Sequence, residues 1–155
     1  MTWKQRYVEA HKQWQLKEYP AGTKDHGWLS TNFPDSTTSN GLTRMILYFL
    51  KWSGWRATRI TSSGRIIKAP QKQDSGISLM TSKYIPSTTR KGAADVSSTI
   101  QGRSVMWEVK IGRDRPSEWQ LQEQELERKA GGEYFFVHDP DEFFTLYDAF
   151  ILSLK

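Results

Sequence analysis

Ala93-Ala94-Asp95-Val96-Ser97-Ser98-Thr99-Ile100-Gln101-Gly102-Arg103-Ser104-Val105-Met106-Trp107-Glu108-Val109-Lys110-Ile111 is the stretch on which the fold turns. Two runs with strand character, Ala93 to Ile100 and Arg103 to Ile111, flank a Gln-Gly pair, and glycine supplies the positive φ of a two-residue turn. The spacing predicts a β-hairpin in which Ile100 faces Arg103. Counting back from the turn, Asp95 lies directly opposite Glu108, with Cβ atoms about 5 Å apart. Lys110 follows Glu108 by one strand period and shares its face. The other face carries Val96 and Ile100 on one strand and Val105, Trp107, Val109 and Ile111 on the other. One apolar and one polar face are what a half-buried hairpin needs. A slip of one residue would keep Glu108 with Lys110 but move Asp95 away.

Carboxylates placed opposite each other repel, and call for a proton, a cation or a metal between them. Hard divalent cations take such oxygens, and Mg²⁺ commonly combines one or two carboxylates with water and phosphate. A main-chain carbonyl at Val109 offers a further ligand. A metal held there polarises a phosphate and lowers the pKa of its bound water. Lys110 then orients that water or offsets developing charge. The alternative is that Lys110 pairs with Glu108 or Asp95 as an ordinary cross-strand ion pair.

Outward from the hairpin, the elements are punctuated clearly. Ser117 with Gln120 forms a capping box that opens a helix, and Gly131-Gly132 closes it. Glu133 to Val137 reads as a strand. Asp139-Pro140-Asp141-Glu142 starts a last helix, with Phe143, Phe144, Tyr147, Phe150 and Ile151 as packing residues. Upstream, the apolar stripe Leu42, Met45, Ile46, Phe49 and Leu50 marks a helix over Gly41 to Ser53, capped by Ser39 or Asn40. Trp55 to Ile60 and Arg65 to Ala69 read as short strands around a Thr61–Gly64 turn. Pro70 to Lys91 reads as a long, polar, basic loop, an arm containing Met80 and Tyr84 for clamping a strand or junction. Trp3 to Tyr19 has helical spacing, and Pro20 to Asn40 reads as loop. The expectation is one α/β domain with a mixed β-sheet flanked by helices: 1–38 an extension, 39–138 the core and 139–155 a C-terminal helix.

Charge is distributed unevenly. Arg44 to Arg115 holds 14 Lys or Arg against 4 Asp or Glu, while Pro116 to Lys155 holds 3 against 9. A basic middle suits a polyanionic partner, or is simply a solvated surface. Arg90, Lys91, Arg113 and Arg115 bracket the hairpin at the end where the acids lie, as phosphate positioning requires. Trp119, just past the helix cap, either packs or lines the cleft. With no Cys, thiolate metal sites and a Cys nucleophile are excluded. His11, His26 and His138 have no ligand spacing, and no Gly-rich phosphate loop or serine elbow occurs. No run is long and apolar enough for a bilayer span, and the start lacks a signal-peptide core, so a cytoplasmic setting is expected.

Asp95 followed by Glu108-Val109-Lys110 resembles the PD-(D/E)XK nuclease superfamily. The flanks narrow the likeness. Lys91-Gly92-Ala93-Ala94-Asp95-Val96, Trp107-Glu108-Val109-Lys110, Ser117-Glu118-Trp119-Gln120, Leu126 and Gly131-Gly132 resemble the VRR-NUC group. That group reads K-G-x-P-D-L, a strand, E-V-K, then S-x-x-Q opening a helix that ends in Gly before another strand. The resemblance spans Asn40 to Val137. It implies a restriction-endonuclease-like core and Mg²⁺- or Mn²⁺-dependent cleavage of DNA phosphodiesters. For small standalone members it also implies selectivity for branched DNA such as Holliday junctions, often as a homodimer. By resemblance, Asp95 and Glu108 are metal-binding acids, Lys110 is the motif lysine, and Gln120 sits beside the site. Two positions depart from the pattern. Ala94 replaces proline, and no acid lies between Asn40 and Gly54, where the first core helix usually brings a glutamate. One metal therefore fits better than two, with Asn40 as a neutral stand-in. The rival readings are a flap or nicking nuclease working with partners, a non-catalytic nucleic-acid-binding module, and an interaction protein docking through its acidic C-terminal third.

Overall fold

The computed structural model describes residues 1–22, 29–61, 65–72, 78–85 and 89–155. Its elements run α1 (Trp3–Glu18), α2 (Ser39–Trp52), β1 (Arg56–Arg59), β2 (Arg65–Lys72), β3 (Ser78–Ile85), β4 (Val96–Ile100), β5 (Arg103–Val109), α3 (Glu118–Lys129), β6 (Glu133–Val137) and α4 (Pro140–Ser153). A four-stranded mixed sheet has the order β1-β4-β5-β6, and helices flank it. The first two pairings are antiparallel, and β6 runs parallel to β5.

The hairpin adopts the predicted register, with Ile100 opposite Arg103 and Val96 opposite Trp107. Gln101 and Gly102 both take positive φ, 48° and 83°, as a tight two-residue turn demands. The core face is closed: Val96, Ile100, Val105, Trp107 and Val109 are buried. Ser98 also points into that face. Its hydroxyl accepts from the Trp107 indole N–H at 2.9 Å and donates to the Val105 carbonyl at 2.9 Å. A buried indole N–H needs such a partner, because leaving it unmade costs about 1–3 kcal/mol.

Helices α2 and α4 cover the core face with the apolar stripes read from the sequence, and Leu42, Met45, Ile46, Phe49, Leu50, Phe143, Phe144 and Phe150 are all buried. Helix α1 packs over α2 and α4. Tyr7 packs tilted against Trp52, with ring centroids 4.8 Å apart, while Arg6 forms two hydrogen bonds to Asp148 at 2.7 and 2.6 Å. Trp3, Tyr7, Phe143, Phe144, Tyr147 and Phe150 of the terminal helices thus join the protein's own core. Helix α3 lies against β6, where Gln124 Nε2 donates to the Tyr134 carbonyl at 2.8 Å, and buries none of its residues.

Three sequence expectations are corrected. The N-cap of α2 is Thr38, whose hydroxyl accepts from the Gly41 N–H at 3.1 Å, rather than Ser39 or Asn40. Thr38 wins because its Oγ1 also donates to the Asp35 carbonyl at 2.9 Å, fixing the approach to the helix. Next, β1 and β2 do not pair with each other: β1 joins β4, and β2 pairs antiparallel with β3. Finally, Pro70 to Lys91, expected as a long loop, extends the strand expected over Arg65 to Ala69 as far as Lys72 and forms a second strand, Ser78–Ile85, that pairs with it. Among the described residues that two-stranded ribbon meets no other helix or strand in more than a slight contact. Residues 62–64, 73–77 and 86–88, His26, and the side chains of Met80 and Tyr84 lie outside what is described.

Among the described residues, no helix is long and apolar enough to cross a membrane.

Candidate active site

The site forms where β4 begins and β5 ends. Glu108 and Lys110 alternate with the core residues Trp107 and Val109, so their side chains leave the opposite face of the sheet. Both are nonetheless almost fully buried, at 6% and 5% exposure. Lys110 Nζ lies 3.1 Å from Glu108 Oε1 and 3.4 Å from Asp114 Oδ2. Asp95 stands just before the first ladder pair of β4. Its carbonyl accepts from the Ile60 N–H at 2.8 Å, and its Oδ2 accepts from the Val109 N–H at 3.0 Å. The side chain therefore folds back onto β5 and takes a main-chain donor that a longer β4 would have used.

The capping box at α3 completes the cluster. The Ser117 hydroxyl accepts from the Gln120 N–H at 3.3 Å, and the Gln120 Oε1 accepts from the Ser117 N–H at 3.0 Å. The same amide then donates from Nε2 to Glu108 Oε1. One glutamine thus fixes the helix start and the buried carboxylate together.

Electrostatics set Glu108 apart. Burial first, and the Asp95 charge second, push its carboxyl up from 4.5 to about 7, although Lys110 and a hydrogen bond from the Asp95 main chain pull the other way. Burial and the Asp95 charge together outweigh the ammonium beside it. Tyr134 faces the same side from β6. Burial and the charges of Glu108, Asp95 and Glu123 push its hydroxyl up, and it donates to the Gly92 carbonyl at 3.0 Å. That bond ties the approach to Asp95 down on β6. Sequence reasoning misses Tyr134, Asp114 and Glu123. The strand period of β6 is a signal for Tyr134, but the partners of the other two are set by tertiary packing.

The residue types fit a hard divalent cation. Asp95 and Glu108 supply carboxylate oxygen. In an extended strand a residue's N–H and C=O leave on the same side, so the Val109 carbonyl faces the Asp95 side with the Val109 N–H. Two carboxylates and a carbonyl are within what Mg²⁺ takes when water and phosphate complete its shell. Among the described residues no group of three or more His, Cys, Asp or Glu gathers as a metal site. Asn40 does not reach toward this set as a free ligand, because its side-chain oxygen accepts from Arg59.

The basic residues divide into two pairs. Arg90 is drawn onto α3, where Nε lies 2.6 Å from Glu123 Oε1, and Lys91 Nζ sits 5.2 Å from the centroid of the Trp119 ring. Arg113 and Arg115 are exposed on the connection after Lys110. With Gly112, Asp114 and His138 they line an open concavity of about 590 Å³. Of the described histidines, His138 pairs with Glu142 at 2.8 Å and His11 with Thr31 at 2.9 Å.

Neither models of protein families nor curated proteins give a match to this chain.

Proposed function

We propose that the chain is a metal-dependent DNA endonuclease of the VRR-NUC type, within the PD-(D/E)XK superfamily, acting on branched DNA such as junctions or flaps. The carrying observation is the convergence of Asp95, Glu108, Lys110 and Gln120 at one sheet end. The order of elements supports it: Asp95 ahead of a strand, Glu108-Val109-Lys110 closing the next, Ser117 opening a helix that ends at Gly131, and then β6. This is the succession the resemblance implies for a restriction-endonuclease-like core.

Asp95, Glu108 and the Val109 carbonyl hold Mg²⁺ or Mn²⁺. When bound, the metal supplies Lewis acidity toward the phosphate and acidifies a water. Gln120 keeps one Glu108 oxygen oriented, and the Val109 N–H does the same for Asp95. Lys110 places a fixed positive charge against the acids, where it offsets charge that builds on the phosphate. Arg113 and Arg115 hold neighbouring phosphates without reading sequence.

Labelled linear, flap and four-way-junction DNAs incubated with Mg²⁺, Mn²⁺ or EDTA test the reading. Cleavage is expected with metal only, lost in Asp95→Ala and Glu108→Ala, with DNA binding retained in both. Full activity in either purified variant would sink it. Salt-dependent binding without cleavage of any substrate would favour the non-catalytic binding module.

A further inference from the structure

Among the described tryptophans, Trp119 alone is exposed, keeping 53% of its surface, while the others are buried or half-buried. It sits in the first turn of α3, next to Gln120, whose amide reaches Glu108. The large exposed aromatic is therefore one residue from the site, not on a remote surface. Its main chain is held firmly. Gly92 packs so closely that a Cβ there would meet the Trp119 carbonyl oxygen at 2.4 Å, and Gly92 takes φ +81°. Tyr134 anchors Gly92 in turn, at 3.0 Å. The Lys91 ammonium, 5.2 Å from the ring centroid, occupies one side of the indole. With 53% of its surface exposed, the indole presents a large flat π surface to solvent beside that ammonium.

We infer that Trp119 is a stacking platform for an unpaired nucleobase of the substrate, with Lys91 beside it to meet the adjoining phosphate. The inference rests on the nucleic-acid reading above and deepens it, since it selects DNA with a single-stranded segment at the scissile strand. A base inside a duplex is already stacked and offers no free face, whereas an unpaired base in a flap or gap does. An ammonium over the indole suits a polyanion on that side, because the ring and the phosphate share one cation.

The test reads binding by the full chain in EDTA, so it does not depend on cleavage. A labelled single-stranded oligonucleotide and its duplex are titrated by anisotropy, and an oligonucleotide carrying 2-aminopurine reports stacking directly. Trp119→Ala should weaken single-strand binding about tenfold, as loss of one stacked base does. Duplex binding should stay the same and 2-aminopurine quenching should vanish. Trp119→Phe should restore most of both. Equal weakening for both DNAs, or unchanged single-strand affinity and quenching in Trp119→Ala, would overturn the inference. If the stacking result holds but no DNA is cut with Mg²⁺ or Mn²⁺, the nuclease reading fails and the platform stands. If cutting occurs while Trp119→Ala binds as wild type, only the platform fails.

Discussion

The Glu108 carboxyl makes the metal-free protein less stable as the pH rises, and the size of that effect follows from the structure. Its folded value is about 7 against 4.5 when free. Below the lower value both states are protonated and the full stability is present. Between the two values the folded chain keeps a proton that the unfolded chain has released. Stability therefore falls by about 1.4 kcal/mol per pH unit, or about 3 kcal/mol over the window. For a domain of this size that corresponds to about 6–12 °C in Tm. The perturbation is Glu108→Gln, which keeps the shape and removes the titration. Thermal unfolding of both proteins in EDTA, by circular dichroism at about pH 5 and pH 8, isolates the difference. Wild type should lose about 5–10 °C relative to the glutamine variant between those conditions, because part of the window lies below pH 5. Comparing pH slopes, rather than absolute Tm, removes the effect of leaving Lys110 facing a neutral amide. Adding Mg²⁺ or Mn²⁺ should then raise the wild-type Tm more at the higher pH, since proton and metal compete for the same oxygens, the stabilisation reaching about 2.7 kcal/mol at a hundredfold excess over Kd. The variant should not respond. A Tm difference independent of pH would refute the account of a strained, buried carboxylate. Equal metal responses in the two proteins would remove Glu108 from the metal.

Other perturbations probe the surroundings. Arg113→Ala with Arg115→Ala should weaken DNA binding at moderate salt and flatten the slope of log affinity against log salt by about 0.9 for each phosphate no longer neutralised; an unchanged slope would take the pair off the DNA face. Ser98→Ala should destabilise by about 1–3 kcal/mol in urea unfolding, because it orphans the Trp107 indole N–H; a neutral result would mean the indole finds another acceptor. Gly92→Ala meets both a positive φ and a contact at 2.4 Å from the Trp119 carbonyl. Chemical denaturation should show a loss of at least about 1 kcal/mol, and wild-type stability would mean that the turn and α3 move apart freely.

The hairpin is legible in the sequence because its register is over-determined. A Gln-Gly turn, an apolar face and a polar face all agree, and together they place Asp95 beside Glu108 and Lys110. The caps at Ser117 and Asp139 are equally readable, because each satisfies main-chain N–H groups locally. Thr38 is not, since Thr37, Thr38, Ser39 and Asn40 are all good caps and only the Asp35 contact separates them. Of the β2–β3 ribbon, Arg65 to Ala69 is read as strand, whereas its partner Ser78–Ile85 is hidden in a polar, basic run. Arg90 and Lys91 read as rim charges in the sequence, but their partners Glu123 and Trp119 come from a helix later in the chain. Sequence periodicity says which side of an element a residue takes, not which neighbour waits there.

Gln120 shows how closely fold and site are joined. A capping box accepts either glutamate or glutamine at its third helical position, because only the side-chain oxygen is needed to meet the cap N–H. At this helix the choice is not neutral. The oxygen is used on Ser117, and the nitrogen donates to Glu108, a carboxylate already pressed upward by burial and by Asp95. Glutamate would preserve the helix start but bring another negative charge to the buried acid. Glutamine satisfies the helix terminus and supplies a donor with the same side chain. The helix α3, which buries no residue of its own, is thereby positioned through polar contacts that run through the site and β6. Order in the site and order in that helix should therefore rise and fall together.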